Sequence, residues 1–237
     1  MIILLKLLLA HFIGDFVLQP KSWVVEKEEK KIRSMKLYLH FLLHGVLVWL
    51  FLWNWNGWLT ALLIVLLHGV IDIIKIYAQK GEQKPWWFLT DQALHLIGIT
   101  TIWYFLFQPD ITFPPLHDNS LIWIYATALV FITVVSGIVI QVVMSKWSDS
   151  LSNSRDESLN DAGKYIGILE RLLVFTFVVT GHWEAIGFLI AAKSVFRFGD
   201  LKESKERKLT EYILIGTLLS FGIALITGII VVKLLTY

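Results

Sequence analysis

Eight apolar segments constrain the fold of this chain more than any other feature of its sequence. A helix needs about 20 mainly apolar residues to cross a bilayer. By this criterion the segments lie near residues 2–18, 36–54, 58–77, 86–107, 121–145, 164–181, 185–198 and 211–235. Because 56% of the residues are hydrophobic and 17% are charged, below the roughly 25% charged residues of an average soluble protein, we predict an all-α polytopic integral membrane protein. Its fold is expected to be a helical bundle with about eight transmembrane helices.

Lys and Arg are distributed unevenly over the connections between these segments. The connections after the first, third, fifth and seventh segments contain several of them, whereas residues 53–58, 108–120 and 181–184 contain none. Lys and Arg are enriched in the cytoplasmic loops of membrane proteins. The pattern therefore predicts a multi-pass protein with eight crossings and both termini outside the cytoplasm.

Two connections are informative about domain organisation. Residues 148–163 are rich in Ser, Asn and Asp without apolar periodicity, which is typical of a loop. We therefore predict an N-terminal membrane bundle over 1–147, a cytoplasmic loop over 148–163 and C-terminal membrane helices over 164–237. Residues 21–33 alternate in charge around a few apolar side chains, which predicts either a short helix on the cytoplasmic surface or a solvated charged face.

The first four apolar segments each contain two potential metal ligands spaced four residues apart. The pairs are His11 and Asp15, His40 and His44, His68 and Asp72, and Asp91 and His95. Residues four apart lie on one face of a helix, one turn above the other. Counted from the cytoplasmic ends at 1.5 Å per residue, Asp15, His40, Asp72 and Asp91 form one layer. A second layer, about 6 Å deeper, contains His11, His44, His68 and His95.

These eight residues predict a metal site. Ionisable groups inside apolar helices are costly unless they pair with each other or hold an ion. The chain has no cysteine, so imidazole and carboxylate are its strong ligands, and they suit zinc, iron or manganese. We predict one or two divalent ions held by all eight residues, with Asp15, Asp72 and Asp91 as candidate catalytic groups. A proton or ion pathway and plain hydrogen bonding between helices are the alternatives.

Other polar residues are candidates for substrate binding: Gln19, Lys75, Arg171, Lys193 and Arg197. The first two flank the predicted metal ligands, where they could bind substrate or only form hydrogen bonds at the membrane interface. The three cations of the second half could line a site for a phosphate or another anionic head group. For Lys193, a structural ion pair with Glu170 is the alternative.

Three motifs carry a resemblance to a known family. The run LAHFIGDFVLQ at 9–19, HGVID at 68–72 and DQALH at 91–95 resemble a family of bacterial membrane proteins catalogued as a domain of unknown function. This resemblance implies a location in the bacterial inner membrane. The His and Asp residues near the cytoplasmic ends of several helices are also similar to those of membrane-bound metal-dependent hydrolases, including the seven-helix ceramidase and adiponectin-receptor group. That similarity assigns no role to an individual residue.

The predicted function is a metal-dependent membrane hydrolase that acts on a lipid or lipid-linked substrate at the cytoplasmic side. A bound metal can lower the pKa of a water molecule and polarise a carbonyl or phosphoryl group. The alternatives are a proton or divalent-metal transporter or channel, a metal-dependent membrane oxidoreductase, and a structural membrane adaptor. The expected partners are the bilayer and a lipid or lipid-phosphate substrate. A net charge of +2 indicates no nucleic-acid partner.

Overall fold

The computed structural model of the chain describes residues 1–53, 57–79, 84–108, 118–148, 162–195 and 204–236. These residues form helices, with no strand among them, so the predicted all-α class is confirmed. The chain divides into two compact units, Met1–Val130 and Phe131–Tyr237. The division falls earlier than the boundary at 147/148 predicted from composition, and the loop predicted over 148–163 lies almost entirely outside the described residues.

The described residues of the first unit form six α-helices and two shorter helical turns. They are α1 (Ile2–Phe12) with a π-helical turn (Ile13–Val17), α2 (Lys21–Lys30) with a 3-10 turn (Lys31–Arg33), α3 (Met35–Leu52), α4 (Gly57–Ala78), α5 (Lys84–Phe107) and α6 (Asp118–Val130). The second unit contains a π-helical turn (Phe131–Val135), α7 (Ser136–Ser148), α8 (Ala162–Val179), α9 (Trp183–Val195) and α10 (Ser204–Thr236). The described parts of all eight apolar segments are therefore mainly helical, and the short helix expected within 21–33 is present.

Four helices of the described chain are long and apolar enough to cross a membrane. They are Met35–Leu52, Gly57–Ala78, Ser120–Trp147 and Lys208–Thr236. A fifth span results if Ile2–Val17 and Lys21–Arg33, which meet at 83°, are counted together. The described residues therefore show four of the roughly eight predicted membrane spans. The other segments differ because α9 has only 13 residues, α8 carries three charged residues, and α5 contains the polar residues of the candidate site.

The end of α1 has an unusual backbone. The amide of Leu18 donates to the carbonyl of Ile13 at 2.9 Å, a bond spanning five residues that defines a π-helical turn. Pro20 then disfavours helical backbone at Gln19, because the proline ring clashes with the preceding residue. The chain turns sharply there into α2. The π-helical turn carries Asp15, which it directs toward the neighbouring helices.

An apolar core lies one helical turn beyond the candidate site. Its buried members are Leu7, Ala10, Val48, Ala61, Ile64 and Ile99. Leu7, Val48, Ile64 and Ile99 are each four residues from a histidine of the site on the same helix, so core and site share the inward faces of α1, α3, α4 and α5. Burial of these apolar side chains holds the four helices together and brings their histidines to one place.

Candidate metal centre

The first unit brings all eight predicted metal ligands into one buried cluster. The five histidines are at most 2% exposed, Asp72 is 5% exposed and Asp91 is 2% exposed. The side chain of Asp15 is 8% exposed. The cluster lies between the end of α1 with its π-helical turn, α3, α4 and α5, so four separate stretches of chain contribute to it. Three overlapping groups of its ligand atoms are compact enough to surround an ion: a first group of His11, Asp15, His44 and His68, a second of Asp72, Asp91 and His95, and a third of His40, His68 and Asp72.

Asp15 lies at the centre of the first group. Its Oδ1 is 3.0 Å from Nε2 of His44 and 3.4 Å from Nε2 of His68, and it is also 3.1 Å from Nε2 of His40, a member of the third group. Zinc ligands lie about 2.0–2.2 Å from the ion, which places them about 3–3.5 Å from one another in tetrahedral or octahedral geometry. The spacing around Asp15 is therefore the spacing expected for ligands of one ion.

Nε2 of His40 has more polar neighbours than it can form hydrogen bonds with. Its Nε2 lies 3.1 Å from Oδ1 of Asp15, 3.0 Å from Nε2 of His68 and 3.0 Å from Nε2 of Gln19. A ring nitrogen carries either one proton or one lone pair, and so can make one strong hydrogen bond. Three polar neighbours at this distance are hard to satisfy by hydrogen bonds alone, whereas a cation between them can satisfy several at once.

The second group is formed by two carboxylates and one imidazole. Nε2 of His95 lies 3.4 Å from Oδ1 of Asp91 and 3.6 Å from Oδ1 of Asp72. The other oxygen of each carboxylate accepts a hydrogen bond from a lysine at 2.8 Å, from Lys27 to Asp72 and from Lys75 to Asp91. Each lysine thus holds one oxygen and leaves the other facing His95.

The histidines also pack against one another. The ring of His68 stacks on His44 with centroids 3.8 Å apart and on His95 with centroids 3.9 Å apart. The stacked rings bring together imidazoles from three different helices, α3, α4 and α5.

Gln92 joins His11 to the carboxylates. Its Oε1 lies 3.2 Å from Nε2 of His11, and its Nε2 donates to Oδ2 of Asp15 at 2.8 Å and to Oδ2 of Asp91 at 3.2 Å. His11 is 3.9 Å from Asp15, so it lies at the margin of the first group. Gln92 therefore orients carboxylates from both groups.

Several buried polar atoms of the cluster have no hydrogen-bond partner in the described part of the chain. They are Nδ1 of His11, His40 and His44, Oδ1 of Asp91 and Nε2 of His95. A buried polar atom without a partner costs about 1–3 kcal/mol. Because Nδ1 is unpartnered in three of the rings, the contacts of Nε2 determine their tautomers.

A small cavity lies beside the cluster. Its volume is about 130 Å³. Its lining includes Asp15, Gln19, Lys27, Asp72, Lys75 and Asp91. Two of the predicted substrate-binding residues, Gln19 and Lys75, are thus placed where a molecule could approach the three carboxylates.

Lys27 was not predicted as part of the site. It is 5% exposed and pairs with Asp72 across 45 positions of sequence. In the sequence it is one of many charges in a helix expected to lie at the surface. One feature of the sequence could have identified Lys27: it follows Val24 by three residues, which places both on one helical face. Both residues line the cavity.

Arg171, predicted to bind an anionic head group, is satisfied within the second unit. It is 4% exposed and donates to the carbonyl oxygens of Ile132 and Thr133 and to the hydroxyl of Ser220. The two carbonyls belong to the π-helical turn Phe131–Val135. These contacts are typical of a buried arginine with a structural role. The role of Arg171 in substrate binding stays a prediction.

Lys193 also has a partner in the second unit. Its Nζ donates to Oε2 of Glu170 at 2.6 Å, so the ion pair expected as the alternative is present. The third predicted cation, Arg197, lies outside the described residues.

Comparison with known proteins gives one match. A family model described as "Protein of unknown function (DUF3307)" matches residues 3–122, about half of the chain, including the whole histidine and aspartate cluster. No curated protein and no solved structure matches the chain. The similarity to membrane-bound hydrolases expected from the sequence is therefore not found in these comparisons.

Proposed function

The chain belongs to the DUF3307 family of proteins of unknown function, and we propose that it is a metal-dependent membrane hydrolase acting on a lipid or lipid-linked substrate. The observation that carries the metal proposal is the crowding of three imidazole nitrogens within 3.4 Å of Oδ1 of Asp15. The ligand set of imidazoles and carboxylates suits zinc, iron or manganese. His11, Asp15, His44 and His68 would hold one ion, and Asp72 belongs to both of the other compact groups.

The cavity beside the cluster supports a hydrolytic role. A metal in such a site supplies an activated water and polarises the scissile group. About 130 Å³ corresponds to about four water molecules at about 30 Å³ each, or to one small polar group of a larger substrate. Asp72 and Asp91 would hold or accept a proton at the cavity wall. Lys27 and Lys75 at the same wall are each paired with one of these carboxylates, so the bound metal would supply the positive charge that an anionic lipid group needs.

The distribution of charge supports a specific membrane arrangement. We propose eight crossings in a bacterial inner membrane, with both termini outside and the cluster near the cytoplasmic face. The apolar core beyond the histidines favours a site that opens to one side only. A transporter or channel would instead need polar groups at that level.

The first test is the metal content of the purified full-length protein. Elemental analysis is expected to find at least one zinc, iron or manganese ion per chain, and His68→Ala is expected to lose it. His182→Ala is the matched control, since His182 is exposed and its ring contacts Thr180 instead. A wild-type protein that stays free of metal after reloading, or a His68→Ala variant with full metal content, would remove the proposal.

The second test is turnover. The protein in mixed micelles is expected to release phosphate from phosphatidic acid or fatty acid from an acyl lipid. Treatment with a chelator should abolish the release, and addition of the metal should restore it. Metal-dependent ion flux into proteoliposomes without hydrolysis would replace the hydrolase by the transporter alternative.

Replacement of Lys27 tests the orientation of Asp72. Lys27→Met keeps the length and apolar stem of the side chain but removes the donor that holds Oδ2 of Asp72 at 2.8 Å. Loss of a group that orients a metal ligand typically costs about 10–100-fold in metal affinity or activity, and we expect an effect of that size. Metal affinity is measured by competition with a chelating dye.

Lys30→Met on the same helix is the control, because Lys30 is exposed and pairs with Glu26 instead of with a carboxylate of the cluster. It is expected to leave metal affinity unchanged. Equal effects of the two replacements would show that general charge, and not the contact with Asp72, is responsible.

A further inference from the structure

We propose that the centre holds two divalent ions, the second of them between Asp72, Asp91 and His95. This inference deepens the proposed function and rests on it. The first ion position is surrounded by His11, Asp15, His44 and His68. The second is formed by α4 and α5 alone.

The second position has its own unsatisfied ligand atoms. Oδ1 of Asp91 and Nε2 of His95 are buried without a hydrogen-bond partner among the described residues, and they lie 3.4 Å apart. Oδ1 of Asp72 is 3.6 Å from the same nitrogen. A buried carboxylate oxygen that accepts no hydrogen bond is costly, and a cation between these three atoms would satisfy it.

The two lysines each bind one oxygen of a carboxylate at this position and leave the other oxygen available to an ion. Lys27 and Lys75 each bind Oδ2 of their carboxylate at 2.8 Å. The remaining oxygens, Oδ1 of Asp72 and Oδ1 of Asp91, therefore point to the same nitrogen. Outer hydrogen bonds that fix ligating carboxylates in this way are common at metal sites.

The two positions are adjacent. Nε2 of His68, a ligand of the first position, lies 4.0 Å from Oδ1 of Asp72, a ligand of the second. The ring of His68 also stacks on His95 at 3.9 Å. These contacts place the two positions side by side, as in two-metal sites, whose ions lie about 3.5–4 Å apart and act on one substrate.

The experiment counts manganese ions in the full-length protein. The protein in detergent is stripped with a chelator and titrated with Mn²⁺, with bound ions measured by equilibrium dialysis and by electron paramagnetic resonance. We expect two Mn²⁺ per chain and the spectrum of two magnetically coupled ions. Asp91→Asn is expected to bind one Mn²⁺ per chain, with an uncoupled spectrum.

Two further variants complete the experiment. Glu170→Gln is the matched control, because Glu170 also pairs with a lysine but lies in the second unit; it is expected to bind two ions. His95→Gln keeps the pair of Lys75 with Asp91 and tests the same position if Asp91→Asn does not fold. It is expected to bind one ion.

The outcomes separate this inference from the proposed function. One ion per chain in the wild type and in both variants would overturn the second position while leaving the metal-dependent function standing. Two ions in Asp91→Asn and His95→Gln would overturn the assignment of these ligands. A wild-type protein that binds no ion would remove the proposed function itself.

Discussion

Replacement of Asp15 by alanine is expected to lower the affinity for Zn²⁺ or Mn²⁺ by more than about 100-fold, since loss of an outer-shell group alone costs about 10–100-fold. Asp15 contacts more imidazoles than the other carboxylates of the cluster: one oxygen lies within 3.4 Å of three imidazole nitrogens, and the other accepts from Gln92. Its carboxylate is the only charge that the π-helical turn contributes. Without it, the first ion position keeps imidazoles but no carboxylate at its centre.

Affinity can be measured by competition with a chelating dye, and lipid hydrolysis should fall to background in parallel. Glu29→Ala is the control, because Glu29 is an exposed carboxylate on the neighbouring helix α2. It is expected to behave like the wild type. Metal affinity within threefold of wild type in Asp15→Ala would contradict the central position given to this residue.

Replacement of Gly14 by alanine is expected to disrupt the same centre by a steric route. A Cβ atom on Gly14 would lie 2.6 Å from Nε2 and 2.9 Å from Nδ1 of His44, distances that non-bonded atoms do not adopt. The ring of His44 would have to move away from Asp15. Overpacking of this kind typically costs about 1–3 kcal/mol of stability, and displacement of a ligand should reduce metal affinity as strongly as its removal.

The measurement combines thermal unfolding in detergent with metal affinity. Gly187→Ala in α9 is the matched control, because no atom of the neighbouring described residues lies within 4 Å of its added Cβ. Alanine is a better helix former than glycine by about 1 kcal/mol, so this variant is expected to be as stable as the wild type or more stable. A Gly14→Ala protein with unchanged stability and metal affinity would show that His44 does not pack against Gly14 as described.

The helices and the composition of the cluster could be predicted because both depend on local spacing. A run of about 20 apolar residues has few alternatives to a helix, and helices occur at all eight predicted segments. The pairs such as His68 and Asp72 share a face because residues four apart lie one turn from each other. Counting residues then placed the pairs at similar depths before any contact between helices was known.

The geometry within the cluster could not be predicted in the same way. Simple counting put Asp15 in an outer layer, whereas its Oδ1 contacts His40, His44 and His68, which were assigned to both layers. The π-helical turn rotates side chains away from the directions they would have in an unbroken α-helix. The residue count was made for an unbroken α-helix. Lys27 was missed because its partner Asp72 is 45 residues away, and such a contact depends on how α2 packs on α4.

The amino-acid sequence by itself therefore determined which stretches are helical and which face of each helix carries imidazoles and carboxylates, since both follow from hydropathy and a period of 3.6 residues. Only the tertiary structure decided which atoms meet, which oxygen of each aspartate a lysine holds, and which oxygens remain free to bind an ion. Those features depend on distances between helices, and no pattern within a single helix specifies them.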